Sequence, residues 1–374
     1  MIPGLNVNVS DCFSPDYGTA RRRFLQRAAD AGAAITTYAN PNRGPGGEEL
    51  ATDVAWFGPD DAKNVLVIVS ATHGVEGFCG SGAQLDWIAR RADYAIPRNT
   101  ALMLVHAINP YGFSWLRRVT EEGVDLNRNS IDFDTTPLPT NEGYSLLASE
   151  LIPQTLDDAA FDAADEKLQE WRAAHGETAF ETARSSGQYD HPAGIFYGGT
   201  APTWSMQTIG KICQDFRLSE RCSVGLIDFH TGLGPYGSGE PICGHKPGTP
   251  GQARCRKWYG DSLGEPLLGK SFSLPIAGLT QYAWDRCIGN DSLTFVALEF
   301  GTYVPDIGAR ALRAEHVYHA YYPMDWNSSE CQTVKAALRK FYYPDTLDWK
   351  ELVIARGRQV IQQALCGLAQ ESEV

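Results

Sequence analysis

Two histidines and a glutamate have the residue types and spacing of a metal site. His73 and Glu76 stand three residues apart in a glycine-rich turn (THGVEG), and His230 follows Asp228 much later in the chain. Neutral imidazole and carboxylate groups bind zinc well, and two histidines with one glutamate leave one coordination position for water, which a hydrolytic site requires. Taken alone, a His-x-x-Glu pair also occurs by chance, and His230 could equally be a structural histidine.

Three arginines and a second glutamate could supply the charges that amide hydrolysis needs. Arg117 and Arg118 follow an NPYGF segment, and Arg128 lies in the segment GVDLNRN. Arginine forms paired hydrogen bonds with a carboxylate or a developing oxyanion, although these arginines could instead form surface salt bridges. Glu299 stands in the apolar run VALEF, where a carboxylate is costly unless it is paired or functional. Beside a metal-bound water it would act as general base and then as general acid.

Several apolar segments must position these side chains. Four runs rich in Val, Ile and Leu are predicted as strands buried on both faces: 64–70, 101–108, 223–229 and 293–300. Two further strand candidates precede or adjoin them, at 33–38 and 51–57. The four runs deliver polar residues at or beyond their carboxyl ends, namely His73, Asn109, His230 and Glu299. Because ligands bind outside the carboxyl ends of strands in open α/β sheets, we expect these groups to meet at one edge of the sheet.

The alternation of these runs with helical patterns predicts the fold class. Helices are expected at about 17–31, 81–92, 204–217, 307–321 and 348–371. Strands that alternate with helices indicate an α/β protein, which we expect to have a mixed, mostly parallel central sheet flanked by helices. Since the candidate site residues spread over most of the chain yet should converge, we predict a single catalytic domain over 1–374.

Residues 134–195 are predicted to form a helical insertion in that domain. Between residues 150 and 184 the chain has nine acidic and three basic residues, a net charge of −6. Two interpretations are open: the solvent-facing side of inserted helices, or an acidic surface for a partner or substrate.

Overall composition excludes several classes of function. The chain has 374 residues and a formal net charge of −13, which makes it a poor binder of nucleic acid or of anionic membranes. We find no apolar run long enough to span a membrane and no signal-peptide pattern in the opening MIPGLN. Nine dispersed cysteines without a CxxC pair are typical of free thiols in a reducing compartment, so we expect a cytoplasmic protein. The GxSxG and HExxH motifs of other hydrolases are absent.

The order of the motifs carries a resemblance to a known family. HxxE, NPYG, an arginine, GVDLNRN, DFHTG and a strand glutamate follow one another between residues 73 and 301. This pattern resembles the zinc metallocarboxypeptidase family, including its aspartoacylase and succinylglutamate desuccinylase branch, and suggests a little-characterised bacterial-type member. The resemblance implies a zinc-carboxypeptidase-like fold and one bound Zn²⁺ ion, held by His73, Glu76 and His230.

The resemblance also implies roles for the surrounding residues. Asp125 would accept the other ring N–H of His73, and Glu299 would activate the zinc-bound water. Either Arg118 or Arg117 would polarise the scissile carbonyl. The residues expected to contact the rest of the substrate are Asn127 and Arg128, which would hold its carboxylate, and either Tyr282 or Tyr303.

The implied activity is hydrolysis of an amide bond next to a free carboxylate, in a small peptide or an N-acyl amino acid. Arg118 and Asn127 are nine residues apart, which is nearer to the acylase branch than to digestive carboxypeptidases. Carboxypeptidase and N-acyl amino acid deacylase therefore both remain open. A catalytically silent binding module is a third hypothesis, but it should have lost a ligand or the glutamate, and this sequence retains all of them.

Overall fold

A seven-stranded sheet forms the centre of the computed structural model, which describes residues 8–134 and 137–371. The strands are β1 (Ala34–Arg43), β2 (Glu49–Phe57), β3 (Asn64–Val69), β4 (Thr100–His106), β5 (Ser223–Tyr236), β6 (Gly239–Ile242) and β7 (Leu293–Gly301). Their order across the sheet is β1-β2-β4-β3-β5-β7-β6. The central strands β4, β3, β5 and β7 are parallel, whereas β2 and β6 pair antiparallel with this group and β1 pairs antiparallel with β2. The predicted mixed α/β sheet is thereby confirmed.

The central strands form where the apolar runs predicted them, because their side chains are covered on both faces. Every residue of β3 and β4 is buried. The two earlier candidates form the antiparallel strands β1 and β2. The short strand β6 was not predicted. It lies in a segment rich in glycine and proline and is held by its pairing with β7, a contact that local sequence does not reveal.

Helices cover both faces of the sheet. Twelve α-helices occur in the described residues: α1 (Tyr17–Asp30), α2 (Gly77–Arg90), α3 (Pro110–Ser114), α4 (Glu142–Leu151), α5 (Asp158–His175), α6 (Glu177–Ser185), α7 (Trp204–Asp215), α8 (Pro250–Tyr259), α9 (Thr280–Ile288), α10 (Pro305–Tyr321), α11 (Ser329–Tyr342) and α12 (Leu347–Glu371). One hydrophobic cluster joins the sheet to α1, α2, α8 and α12, and a second joins its other face to α7 and α9.

The predicted insertion is helical and packs against the C-terminal half of the chain. Its helices α4, α5 and α6 share a hydrophobic cluster with α10 and α11. The acidic residues of α5 are partly neutralised there, because Arg310 forms ion pairs with Asp158, Asp162 and Asp165 at 2.9–3.1 Å. Three of the nine acidic residues between 150 and 184 thus help to attach the insertion. Thr135 and Thr136, inside the predicted insertion, lie outside the described residues.

The helices and the cysteines of the described residues relate to two expectations about the cellular setting. Within residues 8–134 and 137–371, every helix is too short or too polar to cross a membrane. The nine cysteines carry free thiols, and most of them are buried. The opening residues, on which the expectation of no signal peptide rests, lie outside the part of the chain that is described.

Candidate active site

Three neighbouring strands bring the candidate metal ligands to one edge of the sheet. The chain leaves β3 at Val69 and reaches His73 and Glu76 in the turn before α2. His230 lies within β5, directly opposite Glu299 of β7 in the strand register. The turn packs closely on the start of α3, since a Cβ atom at Gly74 would lie 2.0 Å from the backbone of Gly112. This close approach, which only glycine permits, holds the His73 turn against its neighbour.

His73, Glu76 and His230 form a buried group whose ligand atoms face one another. His73 Nδ1 is 2.9 Å from Glu76 Oε1, and His230 Nδ1 is 3.3 Å from Glu76 Oε2. The two Nδ1 atoms are 3.2 Å apart. Burial alone would raise the pKa of Glu76, but the two imidazoles hold it well below its ordinary value. The carboxylate is therefore ionised and ready to bind a cation.

The donor set fits a divalent metal because an aspartate stands behind each histidine. His73 Nε2 lies 3.2 Å from Asp125 Oδ1, and His230 Nε2 lies 3.0 Å from Asp228 Oδ2. When each ring carries its proton on Nε2, the nitrogen nearer its aspartate, both Nδ1 atoms have lone pairs that face each other and Glu76. Three facing acceptors repel one another unless a proton or a metal cation lies between them. Burial would lower the pKa of His230, but Asp228 and Glu76 raise it well above its ordinary value, so a bound metal would compete with a proton for this place. This set of two imidazoles and one carboxylate, with one position left open, is typical of zinc.

Arg118 and Arg117, adjacent in sequence, point to different places. Arg118 reaches the candidate metal ligands: its Nε donates to Asp125 Oδ2 at 3.0 Å and its Nη1 to Glu76 Oε1 at 3.1 Å, and its Nη2 is 2.9 Å from His73 Nε2. Arg117 instead forms a buried ion pair with Glu315 at 2.8 Å. Of the two arginines predicted to polarise a carbonyl, only Arg118 lines the cavity beside the histidines.

Arg128 is a buried cation whose described partners are neutral. It is 2% exposed, its Nη1 donates to Asn127 O at 2.9 Å, and its Nη2 donates to Ser185 O at 2.5 Å. Its Nε has no hydrogen-bond partner among the described residues. Burial lowers the pKa of Arg128 to about 10. An anion bound in the cavity would relieve this cost, which makes Arg128 suited to hold a carboxylate.

Phe196 connects the two site arginines. Its ring lies 5.4 Å from the Arg118 guanidinium and 5.1 Å from that of Arg128, which are favourable cation–π distances. Phe196 adopts a φ of +55°, a backbone conformation that is strained for a bulky residue. Such strain is found where a side chain must take one particular position, and here that position is between two cations.

Asn127 forms hydrogen bonds through its backbone N–H and its side-chain oxygen. Its N–H donates to Asp125 Oδ1 at 2.9 Å, and its Oδ1 accepts hydrogen bonds from both the N–H and the hydroxyl of Thr280, at 3.0 and 2.9 Å. Asn127 therefore joins the segment that carries Asp125 and Arg128 to the first turn of α9. It lines the same cavity as the histidines.

Glu299 is the remaining carboxylate of the cavity. It is 9% exposed, and its Oε1 accepts a hydrogen bond from the N–H of Leu233 at 3.0 Å. Burial and the neighbouring Glu76 carboxylate raise the pKa of Glu299 to about 7. A carboxyl group with this pKa can take up and release a proton near neutral pH.

These side chains surround one cavity of about 250 Å³ with largely apolar walls. Tyr282 lines it, whereas Tyr303 is not among the described lining residues and packs near Tyr236, with ring centroids 6.1 Å apart. The insertion contributes Arg184 and Ser185 to the wall.

Besides Phe196, the sequence did not predict Tyr342 and Asp228 as site residues. Tyr342, at the end of α11, lines the cavity. Burial raises the pKa of Tyr342 to about 12, and the nearby Arg118 counteracts part of that increase. Asp228 Oδ2 lies 3.0 Å from His230 Nε2, and the Asp228 carboxylate accepts a hydrogen bond from the Thr72 hydroxyl. The DFHTG motif contained Asp228, so its place two residues before His230 on a strand could have indicated it. Tyr342 lies in no motif.

Comparison with known proteins gave one family match. A family model described as "Protein of unknown function (DUF2817)" matches residues 13–356. No curated protein matches the chain.

Several solved structures are similar to this chain at low sequence identity. Carboxypeptidase A from Helicoverpa armigera is 12% identical, with 92% of this chain and 73% of that chain covered and a TM-score of 0.41. Succinylglutamate desuccinylase from Chromobacterium violaceum is 15% identical, with coverages of 86% and 74% and a TM-score of 0.35. Glutaminyl cyclase from Fimbriiglobus ruber is 10% identical, with coverages of 96% and 91% and a TM-score of 0.36. Members of the families that the sequence resembles are thus among the similar structures. At these identities the similarity concerns the fold, so the proposed function rests on this chain's own side chains.

Proposed function

This chain belongs to the DUF2817 family, and we propose that it is a zinc-dependent hydrolase that cleaves an amide bond next to a free carboxylate. The observation that carries the proposal is the meeting of His73, Glu76 and His230 with Glu299 and a buried arginine, whose hydrogen-bond partners are neutral, around one cavity. We further propose that residues 1–374 act as one catalytic domain, since the site draws on strands, helices and the insertion alike.

His73, Glu76 and His230 would hold the metal. A bound divalent ion would supply Lewis-acid polarisation of the scissile carbonyl and a lower pKa for the attacking water. Asp125 and Asp228 would keep the two histidines in the tautomer that presents Nδ1.

Glu299 would move the protons of the reaction. Its carboxylate would take a proton from the attacking water and give it to the leaving amine, which requires a pKa near neutrality. Arg118 would stabilise the oxyanion that develops on the carbonyl, since Asp125 already fixes its guanidinium. Tyr342 lies close enough to Arg118 to assist it.

Arg128 and Asn127 would bind the substrate's free carboxylate. Arg128 is a buried cation that lines the cavity and has neutral hydrogen-bond partners, and Asn127 keeps it next to α9. The apolar walls around Tyr282 would cover the rest of the substrate. A cavity of about 250 Å³ is slightly smaller than the roughly 300–1,000 Å³ of typical ligand pockets, so the substrate should be small.

The small cavity also favours the alternative activity, an N-acyl amino acid deacylase. Both activities would use the same metal, base and arginines, and they differ only in whether a peptide or a simple acyl group precedes the scissile bond. A panel of N-acyl amino acids and C-terminal dipeptides, assayed with metal present, separates them. Cleavage of acylated amino acids alone would favour the deacylase, and stepwise loss of C-terminal residues would favour the peptidase.

Glu299→Gln tests the central claim. The variant keeps the shape of the side chain but cannot accept the proton, so we expect kcat to fall by about 10²–10⁴-fold with the metal content unchanged. Metal is measured by elemental analysis of the purified protein. The control is Glu240→Gln: Glu240 lies opposite Glu299 on β6, binds the Ser271 hydroxyl at 3.0 Å and is not among the described residues lining the cavity.

Two results would reject the proposal in different ways. Full hydrolysis by a metal-loaded Glu299→Gln protein would show that another group is the base. If the wild-type protein neither contains nor binds a divalent metal, the proposal that it is a metallohydrolase is wrong.

A further inference from the structure

The mouth of the cavity has exposed apolar side chains. Among the described residues that line the cavity, four large apolar side chains are also 38–58% exposed to solvent. They are Leu233, Leu267, Phe272 and Leu274, which we call the apolar rim. Exposed apolar surface costs free energy in water, and where it is continuous with a cavity it is typical of a ligand-binding site.

The apolar rim begins beside the proposed base. Leu233 lies in β5, three residues after His230, and its N–H donates the hydrogen bond to Glu299 Oε1 at 3.0 Å. The Phe272 ring packs over the next residue, Gly234, where a Cβ atom would lie 3.2 Å from a ring carbon. Two rim residues are therefore held close to the carboxylate that would move the protons.

The other three rim residues belong to the segment 266–279, which is attached to the proposed carboxylate site. Gly278 packs on Arg128, since a Cβ atom at Gly278 would lie 2.5 Å from the Arg128 carbonyl oxygen. The Gly278 carbonyl oxygen accepts a hydrogen bond from the N–H of Ser130 at 3.1 Å. The segment has one charged residue, Lys270. A nearly uncharged segment thus extends from the arginine to the mouth of the cavity.

The first turn of α10 adds apolar surface beside the same mouth. Pro305 and Gly308 line the cavity, and their neighbours Val304 and Ile307 are more than half exposed. Asp306, in the same turn, is not among the described residues lining the cavity. An alkyl chain that leaves the cavity would be removed from water by these surfaces, whereas a charged group would lose hydration without gaining a partner.

The position of Arg128 determines which part of the substrate reaches the apolar rim. Arg128 is 2% exposed, so a carboxylate that pairs with it lies in the interior, and the scissile carbonyl would lie next to Arg118 and the metal ligands. The acyl group on the other side of the scissile bond is then directed toward the mouth. Since the cavity holds only about 250 Å³, an acyl group of more than a few carbons must extend over the rim.

We infer that the substrate's acyl group is a medium- or long-chain alkyl group, so that the substrate class is N-fatty-acyl amino acids. The inference rests on the proposed hydrolase function in its deacylase form. In the reaction the amide C–N bond breaks, the oxygen of water joins the acyl carbon, and a proton from water passes to the nitrogen. A fatty acid and a free amino acid are released.

The test compares acetyl, hexanoyl and decanoyl derivatives of the same amino acids. With metal-loaded wild type, at concentrations below those at which the substrates form micelles, we expect kcat/KM to rise by about two- to fourfold per methylene group until the rim is covered. This range corresponds to methylene groups that are half to fully buried.

Variants of the apolar rim test whether these residues cause the preference. Phe272→Ser and Leu267→Ser should each lower the decanoyl-to-acetyl ratio of kcat/KM by about fivefold or more, because apolar contact area is lost. The matched control is Leu146→Ser in α4: Leu146 is 72% exposed and is not among the described residues lining the cavity, so this variant should keep the wild-type ratio. All three side chains are exposed, so the variants should fold, which thermal unfolding checks.

The outcomes separate this inference from the proposed function. Wild type that cleaves the acetyl substrates with no increase along the series would overturn the inference and leave the hydrolase function standing. An unchanged ratio in both rim variants would also overturn it. If Phe272→Ser instead turned a dimer into a monomer with that ratio unchanged, the rim would be a contact between two copies of the chain. Failure of metal-loaded wild type to cleave any derivative would reject the proposed deacylase function, on which the inference rests.

Discussion

Two neighbouring arginines, Arg117 and Arg118, belong to two different buried charge clusters. Arg118 enters the histidine cluster, formed by His73, Glu76 and His230 with Asp125 and Asp228. Arg117 enters a second group, the Glu315 cluster, which consists of Arg117, Glu315, His319 and Lys335. Both clusters lie in the interior, where unpaired charge is costly, and both contain carboxylates, cations and histidine.

The Glu315 cluster is complete without a ligand. Glu315 binds Arg117 at 2.8 Å and Lys335 at 2.6 Å, and His319 Nε2 lies 3.1 Å from the same carboxylate oxygen. Burial would raise the pKa of Glu315, but Arg117 and Lys335 hold it well below its ordinary value. Burial also lowers the pKa of His319 to about 4, so this histidine is neutral. Each charge has an opposite charge in contact, so the cluster is suited to holding α10 and α11 together.

The histidine cluster differs in what its atoms still lack. Its carboxylates are paired with Arg118 and the imidazoles, yet its Nδ1 lone pairs converge on one point beside a cavity. Buried charge alone therefore does not mark a functional site in this protein. The distinguishing feature is a set of metal-ligand atoms from His73, Glu76 and His230 that converge beside a cavity, which the Glu315 cluster lacks.

The largest expected effect comes from changing one histidine in each cluster. His230→Ala should bind no stoichiometric metal and lose activity to background, because it removes one of three ligands. His319→Ala should bind one metal ion per chain and remain active, although it should be less stable. Metal content by elemental analysis and activity with added zinc measure both effects.

Chelation of wild type provides the matching control for the histidine experiment. The metal-free protein should unfold at a lower Tm, and zinc should restore both Tm and activity, since a ligand that binds only the folded state stabilises it. Metal retained by His230→Ala, or lost from His319→Ala, would contradict the division between the clusters.

The sequence could predict the histidine cluster because its parts stand at strand ends in recognisable motifs. His73, His230 and Glu299 follow or lie in apolar runs, and the direction of parallel strands brings them together. The sequence could not choose between Arg117 and Arg118, because the choice depends on Glu315, which is about 200 positions away.

A smaller effect should separate the two adjacent arginines. Arg118→Met removes the proposed oxyanion donor, so kcat/KM of the folded, metal-loaded protein should fall by about 10²–10³-fold, and Tm should fall as well because the buried Asp125 and Glu76 lose an ion-pair partner. Arg117→Met also removes a buried ion pair and should lower Tm, by less than the about 3–5 kcal/mol of an unpaired buried charge because Lys335 still pairs with Glu315, with kcat/KM of the folded fraction nearly unchanged. Activity assays and thermal unfolding on both variants measure the two effects. Equal losses of activity in the two variants would mean that the clusters are functionally joined.

The smallest expected effect is the pH dependence of activity. Burial and the Glu76 carboxylate raise the pKa of Glu299 from 4.5 to about 7, and a cation bound beside it would lower the pKa again. Because the base must be ionised, kcat/KM should rise tenfold per pH unit at low pH and become constant above the pKa of Glu299. In the metal-loaded protein we expect that pKa to lie between 4.5 and 7.

The Glu315 cluster should not contribute to that limb. The pKa of Glu315 lies well below this range, and that of Lys335, which burial lowers to about 8, lies above it. Between pH 4.5 and 7 both groups keep one charge state in the fold, as they do in an unfolded chain through most of that range, so their effect on stability should stay nearly constant. His319 stays neutral in the fold above its pKa of about 4 but takes up a proton in the unfolded chain below about pH 6.5, so it should lower Tm, and not kcat/KM, as the pH falls. The experiment records kcat/KM, Tm and bound metal at each pH, because loss of metal at low pH would imitate titration of the base. A kcat/KM that stays flat down to pH 4.5 with metal bound would show that Glu299 is not the group that must lose a proton.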